Sequence, residues 1–196
     1  PNSDVAYNDS LIFQGEEDVD VRDDSNTAIG LGQLFRTSGD AQGEPLGNPI
    51  KTDQATGEYA TSDGATSVVL ATPRITSLEV QNSDTADVSG GTLVQTDTGN
   101  EQVVVEYNFD AADDIELTVT DADGLDVTSE FVATAVQSGS GGSVTFDLKQ
   151  TNTVDAGEYT FTVEGQDDLD FGEATQSTTV TLVDDETAAI TLDSTE

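Results

Sequence analysis

The chain has 196 residues, and its 40 aspartate and glutamate residues against 5 lysine and arginine residues give a formal net charge of −35. Such a surface repels nucleic-acid phosphates and anionic lipid headgroups, so composition argues against nucleic-acid binding and peripheral membrane binding. The absence of cysteine and histidine excludes disulfides, thiolate or imidazole metal sites, and Ser-His-Asp or Cys-His catalysis.

Low hydrophobicity needs an explanation, because only 34% of the residues are hydrophobic and acidic chains of this kind are commonly disordered. The regular alternation described below argues for a folded protein instead. At about 1 M salt the Debye length is only about 3 Å, so neighbouring carboxylates are screened. The composition therefore predicts a folded protein adapted to brine. No signal peptide is visible at Pro1, and we expect that one was removed before this residue. No apolar run reaches the length of about 20 residues that a membrane helix needs.

Residues 1–72 are interpreted as a small β-domain. The segment SLIFQGEEDVDV, residues 10–21, predicts two strands joined by a Gly-Glu-Glu turn, and TSVVLATP, residues 66–73, predicts a strand that ends at its proline. Residues 36–65 are rich in turn-forming residues. The tripeptide Asn8-Asp9-Ser10 is an N-glycosylation sequon.

Residues 73–184 carry the strongest strand signal. Six segments alternate β-branched or aromatic residues with polar ones, as strands with one buried face do. Their apolar positions are Ile75, Leu78 and Val80; Val103, Val105, Tyr107 and Phe109; Ile115, Leu117 and Val119; Val144, Phe146 and Leu148; Tyr159, Phe161 and Val163; Thr178, Val180 and Leu182. The segment DVTSEFVA, residues 126–133, is a candidate seventh strand.

Seven short antiparallel strands in about 110 residues match the strand number of an immunoglobulin-like sandwich. We therefore expect an all-β chain of tandem immunoglobulin-like β-sandwich domains, with a boundary near residues 71–74. Residues 185–196 begin another strand without partners, and they predict the start of a third β-domain.

The stretch DAGEYTFTVEG, residues 155–165, predicts a tyrosine corner. In immunoglobulin-like sandwiches such a tyrosine lies at the start of the penultimate strand, and its hydroxyl bonds the backbone a few residues upstream. Asp155, Gly157 and Tyr159 supply the pattern, and Phe161 stands where an antibody domain has a cysteine. The alternative is a simple turn that leads into a strand.

Divalent cation binding is the one chemical function that the acidic loops leave open. QDDLDFGE offers Asp167, Asp168, Asp170 and Glu173, and DADGLD offers Asp121, Asp123 and Asp126. Carboxylates on turns suit Ca²⁺, which takes 6–8 oxygen ligands. DADGLD departs from an EF-hand loop, and an Asp-Gly turn with solvated charges is its favoured interpretation.

Several segments resemble, in chain order, the N-terminal part of haloarchaeal surface-layer (S-layer) glycoproteins. They are YNDSLIFQGEED, TGEYATSDGATSVVLATPRITSLEV, DAGEYTFTVEGQDDLDFGEATQSTTVTL and ITLDST. The resemblance implies a secreted, N-glycosylated protein built from immunoglobulin-like domains, which self-associates into a two-dimensional lattice around the cell. It also implies calcium as a factor in assembly, and Asn8 matches the family's early glycosylation position. A C-terminal membrane anchor would lie beyond residue 196.

The sequence therefore predicts a structural component of an extracellular S-layer and no enzymatic activity. The alternative is an acidic extracellular adhesion or ligand-binding module of a halophile. A secreted hydrolase that uses paired carboxylates would need a cleft with converging acids. With 40 acidic residues, such pairs occur by chance throughout the chain.

Overall fold

The computed structural model of the protein describes residues 5–184, and this part is almost entirely β-structure. The predicted start of a third domain, residues 185–196, lies outside the described residues. The strands are β1 Val5–Ala6, β2 Ser10–Phe13, β3 Asp20–Arg22, β4 Ala28–Ile29, β5 Phe35–Arg36, β6 Gly57–Ala60, β7 Ser67–Ala71, β8 Ile75–Gln81, β9 Thr92–Val94, β10 Gln102–Tyr107, β11 Ile115–Asp121, β12 Val136–Gln137, β13 Ser143–Asp147, β14 Gly157–Gly165 and β15 Gln176–Val183. One helical turn, α1, spans Thr128–Phe131, and short 3₁₀ turns span Leu31–Gln33, Thr151–Thr153 and Gly172–Ala174.

Strands β8 to β15 form a two-sheet sandwich. One sheet has the order β13-β10-β8, and the other has the order β12-β11-β14-β15-β9. Alternate residues of both sheets, such as Val105 on β10 and Val119 on β11, are buried in one hydrophobic core. The chain begins in the first sheet with β8 and crosses to the second with β9, which pairs in parallel with the last strand, β15. This arrangement is that of an immunoglobulin-like sandwich, and the predicted fold class is confirmed.

Strands β1 to β7 form a smaller domain with a core of its own, which includes Ile12, Leu34, Leu46, Tyr59 and Val68. Its larger sheet has the order β2-β7-β6-β5, in which β2 pairs in parallel with β7 and the other pairs are antiparallel. The order β9-β15-β14-β11 of the larger domain repeats this pattern. The two domains therefore share the same four-strand half of a sandwich.

Each domain has a tyrosine corner on its penultimate strand. The hydroxyl of Tyr159 donates to the carbonyl oxygen of Asp155 at 2.8 Å, which is the bond that the sequence predicted. The hydroxyl of Tyr59 donates in the same way to the carbonyl oxygen of Ala55 at 2.6 Å. In both places a Gly-Glu-Tyr sequence opens the strand, so the local sequence sets the same corner twice.

Removing the Tyr159 hydroxyl tests the corner. The Tyr159→Phe substitution deletes one nearly buried hydrogen bond, and we expect it to lower the free energy of unfolding by about 1–3 kcal/mol. Denaturant unfolding in high salt measures the change. The control is Tyr7→Phe, because the Tyr7 side chain is exposed and its substitution should change little. Equal stability of Tyr159→Phe and the parent would contradict a stabilising corner.

The structure corrects two of the predicted elements. Residues 126–133 do not form a strand, because the Asp126 carboxylate accepts the backbone N–H and the hydroxyl of Thr128 and starts the helical turn α1. That turn buries Phe131 in the core. Within residues 36–65, which the sequence presents as turns, Gly57–Ala60 forms β6 between β7 and β5.

Candidate acidic site at the domain junction

The segment that links the two domains is fixed by the side chain of Asn108. The backbone N–H of Arg74 donates to Asn108 Oδ1 at 2.8 Å, and Asn108 Nδ2 donates to the carbonyl oxygen of Thr72 at 3.1 Å. The backbone N–H of Asn108 also donates to the carbonyl oxygen of Arg74 at 3.2 Å. Pro73 between these residues is buried. The link is therefore held on both sides rather than being a free tether.

Aromatic side chains fill the junction. Phe13, the last residue of β2, belongs to the core of the larger domain and meets the edge of Phe109 at a ring distance of 6.3 Å. The ring of Phe171 lies against Gly15, where an added Cβ atom would be 2.4 Å from Phe171 Cε1. Because Gly15 also has a φ of +91°, this approach requires glycine for both space and backbone conformation.

Substitution of Gly15 tests how far the junction stabilises the chain. Gly15→Ala combines a disfavoured positive φ with displacement of the Phe171 ring, so we expect a loss of about 1–3 kcal/mol or more in thermal or denaturant unfolding. Gly124→Ala is the matched control, since Gly124 has a φ of +80° but open space around its Cα. The difference between the two variants isolates the contact with Phe171. Equal losses would show that this contact contributes little.

Beside these aromatic contacts lies a recess of about 280 Å³ with an acidic lining. We call it the junction recess. The turn after β2, the β10–β11 loop and the β14–β15 loop all border it. The loops at one end of a sandwich cluster in space, and this brings together residues that are distant in sequence. Its acidic lining consists of Glu16, Asp110, Asp113, Asp114, Asp167 and Asp168.

Four of these carboxylates accept backbone N–H groups: Glu16 from Phe13, Asp110 from Gly142, and Asp113 and Asp168 from the groups described next. Asp113 is half-buried, and its oxygens accept the N–H groups of Asp114 at 2.8 Å, Asp167 at 3.1 Å and Leu169 at 3.3 Å. Burial raises the pKa of Asp113 despite these bonds. Asp168 Oδ2 accepts the N–H of Glu17 at 2.9 Å and so joins the two domains directly. Asp113 and Asp168 act as structural acceptors that fix the loops.

The four carboxylates predicted to bind calcium here occupy different places. Asp167 and Asp168 line the junction recess, whereas Asp170 and Glu173 do not. Glu173 faces Arg74 at 3.5 Å across the surface of the junction. Within residues 5–184, no three acidic side chains are grouped so that they could hold a metal ion. Calcium binding at these residues stays a prediction.

Sequence reasoning missed Glu16, Asp110, Asp113 and Asp114, which share the recess with Asp167 and Asp168. The segment DAADD, residues 110–114, was a signal that could have found three of them, because it connects two strands at the same end of the sandwich as residues 166–170. The approach of Glu16 depends on how the domains pack, which no local pattern reveals.

The second predicted cation stretch forms a turn. Asp121 Oδ1 accepts the backbone N–H groups of Asp123 and Leu125, both at 2.9 Å, and Gly124 adopts a φ of +80°. The Asp123 side chain points to solvent. This is the Asp-Gly turn that the sequence favoured for the segment.

Asn8 lies in the turn between β1 and β2. Its Oδ1 atom accepts the backbone N–H of Ser67 at 2.8 Å, and its side chain is half-buried. An N-linked glycan attaches to the amide nitrogen, so this hydrogen bond is compatible with modification. Glycosylation of Asn8 stays a prediction.

Comparison with known proteins gives a consistent set of relatives, although no family model matches the chain. The chain is 41% identical to a cell surface glycoprotein of Haloarcula japonica, over 95% of its own length and 24% of the relative's. It is 40% identical to that of Haloarcula marismortui, with 95% and 23% covered, and 42% identical to that of Halobacterium salinarum, with 93% and 23% covered. The chain thus spans about a quarter of the length of these curated relatives.

Among solved structures, the titin domains z1z2 in complex with telethonin match with a TM-score of 0.31 at 11% identity, covering 90% of this chain and 93% of that one. None of the helical turns among residues 5–184 has the length and apolar character to span a bilayer.

Proposed function

We propose that this chain, which is homologous to part of the haloarchaeal cell surface glycoproteins, is a structural segment of an S-layer and has no catalytic role. The observation that carries the proposal is the fixed junction between two sandwiches in a chain with these relatives. A layer that preserves cell shape needs domains that keep their relative orientation under load. The hydrogen bonds of Asn108 to residues 72 and 74 and the packing of Phe171 on Gly15 hold the two domains in one orientation.

The charge distribution supports a location in brine at the cell surface. Among residues 5–184 only two ion pairs form, Arg22 with Asp20 and Arg74 with Glu173. Most carboxylates therefore remain hydrated and negative, and a lattice of such chains is a polar coat. Divalent cations, calcium in particular, would bridge the carboxylates of neighbouring copies and offset their repulsion. A glycan on Asn8 would add further polar surface.

Electron microscopy of cell envelopes tests this proposal. In the organism that makes the protein, the codons for residues 5–184 are deleted from the gene, and a control strain carries the same segment recoded with synonymous codons. We expect the control envelopes to show a periodic lattice that binds antibodies raised against this chain at a regular spacing. The deletion should abolish or disorder that lattice.

An intact lattice in the deletion strain, with scattered antibody label in the control strain, would overturn the proposal. If the deletion strain then also lost attachment to other cells or surfaces, the adhesion module would become the better explanation.

A further inference from the structure

The larger domain repeats, where its last strand ends, the hydrogen bonds that the smaller domain makes at the junction. In the smaller domain the backbone N–H of Gln14 donates to the carbonyl oxygen of Ala71 at 2.9 Å, at the end of β7. In the larger domain the backbone N–H of Gln95 donates to the carbonyl oxygen of Val183, also at 2.9 Å, at the end of β15. The two glutamines therefore occupy equivalent places beside the strand by which the chain leaves each domain.

The side chains of these glutamines make equivalent bonds as well. Gln14 Nε2 donates to the carbonyl oxygen of Gln54 at 2.6 Å. Gln95 Nε2 donates to the carbonyl oxygen of Val154, also at 2.6 Å. Each acceptor comes directly before the residue whose carbonyl oxygen accepts the hydroxyl of the corner tyrosine. Because each of these bonds has its counterpart, the exit end of the larger domain is a structural copy of the exit end of the smaller one.

The two exit ends differ in how far they are covered. At the junction the larger domain covers the smaller one, so Phe13 is 1% exposed and Gln14 is 8% exposed. Phe13 even belongs to the core of the larger domain. The equivalent residues Val94 and Gln95 are only half-buried, and they line a recess of about 600 Å³ that we call the distal recess. Side chains that are buried at one exit end are therefore partly exposed at the other.

The distal recess also contains a buried carboxylate with an unpaired oxygen. Glu101 is only 1% exposed. Its Oε1 atom accepts the hydroxyl of Thr96 at 2.7 Å, but its Oε2 atom is buried and has no hydrogen-bond partner among residues 5–184. Buried polar atoms are nearly always paired, because an unpaired one loses its hydration without compensation. Glu101 therefore points to a donor that comes from outside residues 5–184.

The loop that carries Glu101 is already held in place. The backbone N–H of Thr96 donates to Thr151 Oγ1 at 2.9 Å, and the N–H of Asn152 donates to the carbonyl oxygen of Thr96 at 3.1 Å. The carbonyl oxygen of Glu101 accepts the N–H of Leu148 at 2.9 Å. The surface is thus preorganised, and docking on it would require little ordering of the backbone.

The course of the chain indicates what covers this surface. The chain leaves the larger domain after Val183, beside the distal recess. Residues 185–196 carry the sequence pattern that predicts the start of a further β-domain, and the curated relatives are far longer, since the chain spans only 24% and 23% of them. We propose that the distal recess is a second docking surface between domains, and that it holds the β-domain that follows residue 184 in a fixed orientation.

The junction indicates how the contact would be made. Phe109 of the larger domain meets the edge of Phe13 at a ring distance of 6.3 Å. An apolar side chain of the following domain would pack in the same way on Val94, and a backbone N–H or hydroxyl group would donate to Glu101 Oε2. The distal recess is lined by three acidic residues and by no lysine or arginine, so a donor group fits it and a further carboxylate does not.

The match between the two exit ends is not complete. Thr96 stands where the smaller domain has Gly15, at which the ring of Phe171 makes its close approach. The following domain therefore cannot pack on this backbone as tightly, and the distal recess leaves room for a side chain instead. The proposal concerns a contact within one chain, so it does not depend on lattice assembly.

Hydrogen exchange in two lengths of the protein tests the docking surface. Mass spectrometry would compare the full-length protein, kept monomeric in high KCl, with the 196-residue chain. We expect the amides of residues 94–101 to exchange about tenfold or more slowly in the full-length protein, because contact with the docked domain suppresses local opening of the loop. Residues 61–66 are the internal control, since this turn precedes β7 at the end of the smaller domain away from the junction and should exchange equally in both.

A pair of substitutions in the full-length protein locates the contact. Val94→Ser removes the apolar contact, and it should return the exchange of residues 95–101 to the rate seen in the 196-residue chain. Val104→Ser is the matched control, because Val104 is a half-buried valine on β10 that does not line the distal recess. This control should leave the protection of residues 95–101 unchanged.

The comparison of the two lengths needs no substitution, so it decides the matter even if Val94→Ser does not fold. Equal exchange of residues 94–101 in the two lengths would overturn the proposal and leave water as the partner of Glu101. Protection that increases with protein concentration would also overturn it, because a second copy would then occupy the distal recess. Equal protection in Val94→Ser and Val104→Ser would place the contact with the following domain elsewhere and overturn it as well.

Discussion

Lowering the salt concentration is expected to unfold or expand the protein. We expect the β-structure to be lost below a few hundred millimolar KCl. The formal net charge is −35, and only two ion pairs form among residues 5–184. The Debye length increases from about 3 Å at 1 M salt to about 10 Å at 0.1 M. Neighbouring carboxylates that are screened in brine therefore repel one another in dilute buffer.

The junction should respond to dilution first. Six carboxylates line its recess, whereas the sandwich cores are apolar and do not depend on screening. The backbone N–H groups of Asp167 and Leu169 both bond Asp113 in this region. We expect their hydrogen exchange to accelerate at salt concentrations where exchange on β10 and β14 is still slow.

Far-UV circular dichroism across a KCl titration measures the loss of β-structure. A parallel titration with tetramethylammonium chloride at equal ionic strength is the control, because it screens charges without a small metal cation. Similar curves for the two salts would establish screening as the cause. An unchanged β signal down to low salt would contradict adaptation to brine.

Truncation of Phe161 is expected to cause the largest loss of stability among the single substitutions considered. Phe161 is 1% exposed and packs edge-on against Phe131 at a ring distance of 5.3 Å. Phe161→Ala removes these contacts and leaves a cavity between the two sheets, which costs about 3–5 kcal/mol. For a chain of this size, each kcal/mol lowers the melting temperature by about 2–4 °C.

Calorimetry or denaturant unfolding in high salt measures the effect of Phe161→Ala. Phe35→Ala is a suitable control, because it removes the same atoms from a side chain that is 37% exposed, and its cost should be clearly smaller. If both variants melted together with the parent, the place of Phe161 at the centre of the core would be wrong.

The fixed junction and the acidic surface both fit the protective layer that we propose. Phe13, Phe109 and Phe171 hold the two domains by apolar contacts, whose strength does not depend on screening. The carboxylates keep the exterior hydrated. We therefore expect salt to permit the fold by suppressing repulsion, while the aromatic contacts hold the two domains in their relative orientation.

The sequence by itself determined the strand pattern of the larger domain and its tyrosine corner, and it predicts a need for salt. Val103, Val105 and Tyr107 alternate with polar residues because successive side chains of a strand point to opposite faces, and this geometry is local. The corner is also local, since Tyr159 bonds a carbonyl only four residues away. Net charge is a property of composition and needs no structure.

Only the tertiary structure decided which acidic side chains lie close together. It also decided which segments without a clear strand pattern in their sequence join a sheet. Gly57–Ala60 is short and surrounded by turn residues, so pairing with β7 and β5 makes it a strand. Glu16, Asp113 and Asp168 converge because the order of the strands brings two loops to the face that meets the smaller domain. Glu101 precedes a strand like many exposed acids, and its burial follows from the packing of the β9–β10 loop against Thr151. Contacts of this kind join residues far apart in the chain, and local side-chain patterns carry no information about them.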